Sequence, residues 1–239
     1  MSFAPLFQRR FPHGLGVGIS LPIITPANET PPELERAVSR LTPEELELTR
    51  PFGVRRLVPF VGGRIAMATA LEAAGVIPEH LSQRPSILAT PRGAPKLPEG
   101  VRGSISHKSD LAVALVDPDP SNAQWQIGVD VENLALPRTD ISRSILTPRE
   151  LAEFQSLPES ARPFELMARF SLKEALYKAL DPYVSRFVGF HEVEVDVHPD
   201  GAATPHLFLR EGGLEAELWW TLLDSAPGVI LSTARVTRR

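Results

Sequence analysis

Thr42-Pro43-Glu44-Glu45-Leu46 and Thr147-Pro148-Arg149-Glu150-Leu151 are one helix start written twice. In each, a threonine can cap the helix and proline takes a first-turn position whose N–H would have no helical partner. An acid three residues after the cap can reach back to it. The copies lie 105 residues apart, and at that offset Arg64 falls on Arg169, Ala70 on Ala175 and Leu71 on Leu176. Shifted seven further, Gly16-Val17-Gly18-Ile19-Ser20 falls on Gly128-Val129-Asp130-Val131-Glu132. Matches kept in order point to a duplicated α/β unit, with lobes at 1–123 and 124–239. Only the second copy carries acids here, because Gly18, Ser20 and Thr69 stand where Asp130, Glu132 and Glu174 stand. The seam between the halves is the expected place for a ligand.

Outward from these anchors, residues 15–24 read as a strand and Val54–Ala74 as a long helix stopped by Gly75. A proline-punctuated loop (Pro85 to Pro98) leads to strands at Ser104–His107 and 111–116. Ile127–Glu132 alternates with period two, and a second long helix runs from about Pro163 to Leu180. The tail, at 192–198, 206–210, 214–223 and 228–236, reads as an antiparallel meander. The expected class is α+β: two pseudo-twofold-related subdomains, each a mostly antiparallel sheet on a long helix.

The composition is that of a folded protein: 239 residues, 43% hydrophobic and 23% charged, enough for a sizeable core. Its 24 prolines are about twice the usual share and imply ordered, extended connections. With no cysteine, disulfides, thiolate metal sites and cysteine nucleophiles are excluded. The formal charge of −4 argues against nucleic acid or an anionic membrane as the main partner. No apolar run approaches a membrane span, and the first residues lack a secretory pattern, so a cytoplasmic protein is expected. Residues 1–120 hold 13 basic and 12 acidic side chains, and 121–239 hold 12 and 17; within 50–108, nine Lys/Arg face three Glu. That division suits a polyphosphate held through a metal, and it equally suits two ordinary solvated surfaces.

Asp130 and Glu132, two apart on a strand, leave one face about 6–7 Å apart. They suit a hard-cation site of Mg²⁺ type, or the wet face of an edge strand. Glu174 and Lys178 lie one turn apart on a helix, with Lys173 adjoining, a spacing that also describes an exposed ion pair. Gly103-Ser104-Ile105-Ser106-His107 suits a phosphate-binding turn and lacks the nucleophile elbow of a hydrolase.

The order of these segments carries more than any one of them. GSISH (103–107), GVDVE (128–132) and FSLKEALYK (170–178) together resemble the 4'-phosphopantetheinyl transferase superfamily, in its two-lobed, surfactin-type class. Arg55-Arg56-Leu57, Phe60, Gly63-Arg64-Ile65-Ala66, Arg92, Pro95, Pro98 and Gly100 resemble the enterobactin synthase component D branch. The resemblance implies transfer of phosphopantetheine from coenzyme A, bound in the seam, to a serine of an apo acyl or peptidyl carrier protein, releasing 3′,5′-ADP. It implies that Asp130, Glu132 and Glu174 hold Mg²⁺ (or Mn²⁺), that Glu174 or a water it orients takes the serine proton, and that Lys178 stabilises the leaving phosphate. Lys173 would be a secondary cation. Ser106, His107, Arg56, Arg64 and Arg92 would serve the phosphates of coenzyme A. Phe170 stands where many members have tryptophan and is expected only to pack, while Lys96 follows Pro95 rather than preceding it and is left outside the site. A monomer is expected, acting in secondary metabolism (polyketide, nonribosomal peptide or siderophore assembly), with Arg143, Arg149 and the helix near Phe154 as the carrier-docking face. The alternatives are a non-catalytic relative that binds coenzyme A or the carrier, and a Mg²⁺-dependent pyrophosphate hydrolase.

Overall fold

The computed structural model describes residues 2–24, 32–77, 84–108, 110–119, 121 and 124–239. The chain divides into two compact units, Met1–Ala123 and Gln124–Arg239, and its class is α+β.

The first unit holds β1 (Pro5–Phe11), β2 (Gly14–Ser20), α1 (Pro32–Val38), α2 (Pro43–Thr49), α3 (Val54–Ala73), the short pair β3 (Leu88–Ala89) and β4 (Pro95–Lys96), then β5 (Arg102–Lys108) and β6 (Leu111–Asp117). Its main sheet runs β1-β2-β6-β5, antiparallel throughout. Alternation sends Val17, Ile19, Ala112 and Ala114 against Val61, Ile65 and Leu71 of α3. Gly75 ends the helix region at a φ of 71°, a conformation that favours glycine.

The second unit holds β7 (Trp125–Asn133), α4 (Ser142–Ile145), α5 (Pro148–Ser156), α6 (Arg162–Val184), β8 (Val193–Val197), β9 (Ala202–Leu207), β10 (Leu214–Leu222) and β11 (Val229–Arg238), its sheet ordered β7-β11-β10-β9-β8. Leu172, Ala175, Leu176 and Ala179 of α6 pack on Leu218, Ala234 and Val236. The approach is close: a Cβ on Gly128 would sit 1.9 Å from the Ala175 carbonyl oxygen.

The internal repeat is visible in each unit separately. Both run strand, capped short helix, long helix, then a hairpin whose second strand returns to pair with the first, giving β2-β6-β5 and β7-β11-β10. Thr42 with Glu45 and Thr147 with Glu150 each close a full capping box. The box glutamates are also buried hubs. Glu45 accepts from Ile87 N at 2.7 Å and Glu150 from Val195 N at 2.8 Å. The cation on each hub comes from a different place: Arg84, from the loop after α3, bonds Glu45, whereas Lys173, from within α6, bonds Glu150.

Three local expectations need correction. The glycine-rich match between Gly16–Ser20 and Gly128–Glu132 is out of phase by one face. Gly16 and Gly18 face away from α3, where their Cβ atoms would strike the Phe11 and Phe7 rings at 2.2 Å, whereas Gly128 faces α6. Since side chains alternate, aligning the letters inverts the strand. The strand expected at 15–24 ends at Ser20, short of Pro22, which has no N–H for a ladder. The strand expected at 206–210 is Ala202–Leu207, entered by a turn at Asp200-Gly201 with Gly201 at a φ of 93°.

Candidate functional site

In the second unit, β7 delivers Asp130 and Glu132 to the side of the sheet that packs on α6, so both acids are buried, at 5% and 7% exposure. A strand face packed on a helix would ordinarily carry apolar side chains at these positions, and α6 brings a counter-charge to Asp130. Lys178 Nζ donates to Asp130 Oδ1 at 2.9 Å and to the Val129 carbonyl at 2.8 Å. Glu174, one helical turn earlier, is half-buried. Burial pushes its carboxyl above the ordinary range, and the charges of Asp130 and Glu132 push the same way, with Lys178 opposing them. Four of the residues singled out from the sequence are therefore electrostatic neighbours.

Among the described residues no three His, Asp or Glu side chains form a ready-made metal cage. The donor set nonetheless fits Mg²⁺, which binds through one or two carboxylates, keeps several waters and accepts phosphate oxygens. The all-oxygen chemistry is right, and the repulsion from Asp130 and Glu132, which adds to burial in raising Glu174, is what a divalent cation would relieve.

Lys173 departs from expectation. It is 0% exposed, and its ammonium donates to Glu150 Oε2 at 2.6 Å, the Ile145 carbonyl at 2.9 Å and the Phe190 carbonyl at 3.0 Å. Three donors on three acceptors leave no N–H for a phosphate. Burial lowers its pKa, against which the Glu150 carboxylate holds the proton. Lys173 thus ties α4, α5 and the 190 region to α6, one residue before Glu174. Phe170 packs against Phe190, with ring centroids 5.7 Å apart. Arg149 is engaged by Glu153, Glu194 and Asp196, so it offers a neutralised patch rather than a basic one.

In the first unit, Arg64 on α3 is buried with its guanidinium 4.2 Å above the Phe60 ring, and its Nε has no hydrogen-bond partner among the described residues. Burial lowers its pKa; the Glu45 charge raises it and Arg84 lowers it. Arg56, exposed, stacks on Phe52 at 4.1 Å. Arg92 is exposed in the turn before Gly93. Ser106 and His107 both sit on β5, but a strand sends neighbours to opposite faces: Ser106 is buried and His107 exposed. They do not share one phosphate-binding face.

The family model described as the 4'-phosphopantetheinyl transferase superfamily matches residues 126–232, and that of the 4'-phosphopantetheinyl transferase N-terminal domain matches 45–117. The 4'-phosphopantetheinyl transferase Svp of Streptomyces mobaraensis is 32% identical over 176 residues, covering 72% of this chain and 68% of that protein. Enterobactin synthase component D of Salmonella typhi is 30% identical over 152 residues, covering 61% of this chain and 57% of that protein; the chain thus spans little more than half of that relative's length. The 4'-phosphopantetheinyl transferase PptT of Mycobacterium tuberculosis is 28% identical over 158 residues, covering 66% of each. With the acids of β7 and α6 inside one matched region, the cations of α3 inside the other, and the Svp match spanning more than two thirds of both proteins, the chain belongs to the 4'-phosphopantetheinyl transferase superfamily.

Proposed function

We propose that this protein transfers the 4'-phosphopantetheine group of coenzyme A to a serine of an apo carrier protein. The serine Oγ forms a bond to the β-phosphorus of the pyrophosphate, and the bond from that phosphorus to the oxygen retained by 3′,5′-ADP breaks. The observation that carries the reading is the grouping of Asp130, Glu132, Glu174 and Lys178 on one face of the second unit.

Phosphoryl transfer asks a protein chiefly for positioning and charge neutralisation. Asp130, with Glu132 and Glu174, would hold Mg²⁺, which when bound neutralises pyrophosphate oxygens and acidifies a coordinated water. Glu174, whose raised pKa makes it the stronger base of the group, takes the serine proton directly or through a water it orients. Lys178, released from Asp130 Oδ1, stabilises the charge that develops on the departing phosphate. Arg64, Arg56, Arg92 and His107 bind phosphates of coenzyme A. An Arg64→Lys change would lose the paired donors that a guanidinium offers a phosphate.

Incubation of apo carrier proteins with coenzyme A and Mg²⁺ should add one phosphopantetheine to the carrier serine, read by intact mass. Asp130→Ala should reduce the rate by at least a hundredfold with the melting transition preserved. Full turnover by that variant in chelator-treated buffer would sink the metal assignment, and release of phosphopantetheine without any carrier would make the protein a hydrolase instead.

A further inference from the structure

Beside the acid cluster, the Ser232 hydroxyl has no hydrogen-bond partner among the described residues. β11 lies next to β7 with Ser232 opposite Asp130, Ile230 opposite Glu132 and Ala234 opposite Gly128. Opposed residues of an antiparallel pair project to the same face with Cβ atoms about 4.5–5.5 Å apart, so Ser232 shares with Asp130 the face that packs on α6. From Ile230 to Val236 that face of β11 reads Ile230, Ser232, Ala234, Val236, apolar except for one hydroxyl, before Arg238 at the strand's end. The equivalent strand of the first unit, β6, shows its helix only Ala112, Ala114 and Val116. The one exception therefore falls at the position paired with Asp130. Ser232 is 0% exposed, and its Oγ has no hydrogen-bond partner. A buried hydroxyl left unsatisfied is destabilising, and the flanking Ala234 shows that this row accommodates a methyl group.

We propose that Ser232 is a positioning residue for the metal-bearing carboxylate. When the divalent cation engages Asp130 and Lys178 gives up Oδ1, the Ser232 hydroxyl rotates to donate a hydrogen bond to the Asp130 carboxylate. That bond fixes which oxygen faces the ion, as outer-sphere donors do in other metal sites. The inference rests on the reading of Asp130 as a metal ligand. It accounts for a buried, unsatisfied hydroxyl at a position where alanine would be more stable.

The test compares the full-length wild type with Ser232→Ala and Asp130→Ala. Mn²⁺ binding in the presence of coenzyme A is followed by the electron paramagnetic resonance signal of free Mn²⁺, and melting is followed in chelator. Ser232→Ala is expected to weaken Mn²⁺ binding about tenfold while melting at the same temperature as the wild type or above it. A purely structural serine would not move these two readouts in opposite senses. Loss of Mn²⁺ binding in Asp130→Ala with wild-type binding in Ser232→Ala overturns the Ser232 assignment and leaves the metal reading standing. A wild type that does not bind Mn²⁺, or an Asp130→Ala variant that binds it normally, overturns both. A Ser232→Ala protein that melts lower in chelator shows that the hydroxyl already has a use in the resting state, and also overturns the proposal.

Discussion

At Glu174, burial and two neighbouring acids act in the same direction, and Lys178 opposes them. The folded chain therefore holds this proton more tightly than the unfolded chain, where the carboxyl titrates near 4.5. Between that value and the raised folded one, the folded state binds more protons, so stability falls as pH rises. Glu174→Gln removes the titrating group. In metal-free buffer at pH 7 the variant should melt above the wild type, and its melting temperature should vary less with pH across that window, while carrier modification is lost. Adding Mg²⁺ should raise the wild-type melting temperature and leave the variant's largely unchanged. A Glu174→Gln protein that melts below the wild type at pH 7 would show that the charged carboxylate is favourably held, contrary to this account.

At the level of elements, strand and helix approach closely at Gly128, where a Cβ would meet the Ala175 carbonyl oxygen at 1.9 Å and its carbon at 2.9 Å. Backbone cannot swing aside as a ring can. Gly128→Ala should therefore force β7 and α6 apart, destabilising by about 3 kcal/mol, the upper part of the usual overpacking range, and moving Asp130 away from Lys178. Gly16→Ala meets only the Phe11 ring and should be tolerated better; chemical denaturation of the two variants would separate them, and equal losses would contradict the packing argument. Helix starts, both long helices and the alternating Ile127–Glu132 strand were legible from local chemistry, since caps, stops and period two are local. The candidate acids were legible for the same reason. Three features were not, because each depends on distant partners. The burial of Lys173 is set by Glu150, 23 residues earlier, and a lysine beside a glutamate on a helix looks the same whether exposed or buried. β1 carries Gln8-Arg9-Arg10 and an exposed outer face, which hides an edge strand whose function is to lay Phe7 and Phe11 over Gly18 and Gly16. Ser232 stands out only once the β7–β11 register is known.

Over the whole molecule, ion pairing uses up most carboxylates of the second unit: Glu150 with Lys173, Glu153 and Glu165 with Arg169, Glu192 and Glu211 with Arg186, and Glu217 with Arg235. Asp130, Glu132 and Glu174 instead lie within electrostatic reach of one another, with Lys178 bonded to Asp130, so negative charge is concentrated on this face. In the first unit the reverse holds. Arg84 is consumed by Glu45, while Arg64 is buried on an aromatic ring with an unbonded Nε and Arg56 and Arg92 reach the surface. If these cations serve the nucleotide and the acids serve the metal, the two requirements can be separated with 3′,5′-ADP, which has phosphates and no pyrophosphate for a metal to bridge. By titration calorimetry, its binding should weaken with rising salt and be indifferent to chelator. Arg64→Ala should lower the affinity about tenfold or more, the usual worth of a charge-assisted hydrogen bond. Arg92→Ala, an exposed position where folding is not at stake, should lower it less but in the same direction. Asp130→Ala should leave it unchanged or tighter, because removing an acid cannot weaken the hold on an anion unless that acid acts through a metal. Equal losses in Arg64→Ala and Asp130→Ala would mean that nucleotide binding also runs through the metal-bearing acids, and the division of charge would then lose its functional meaning.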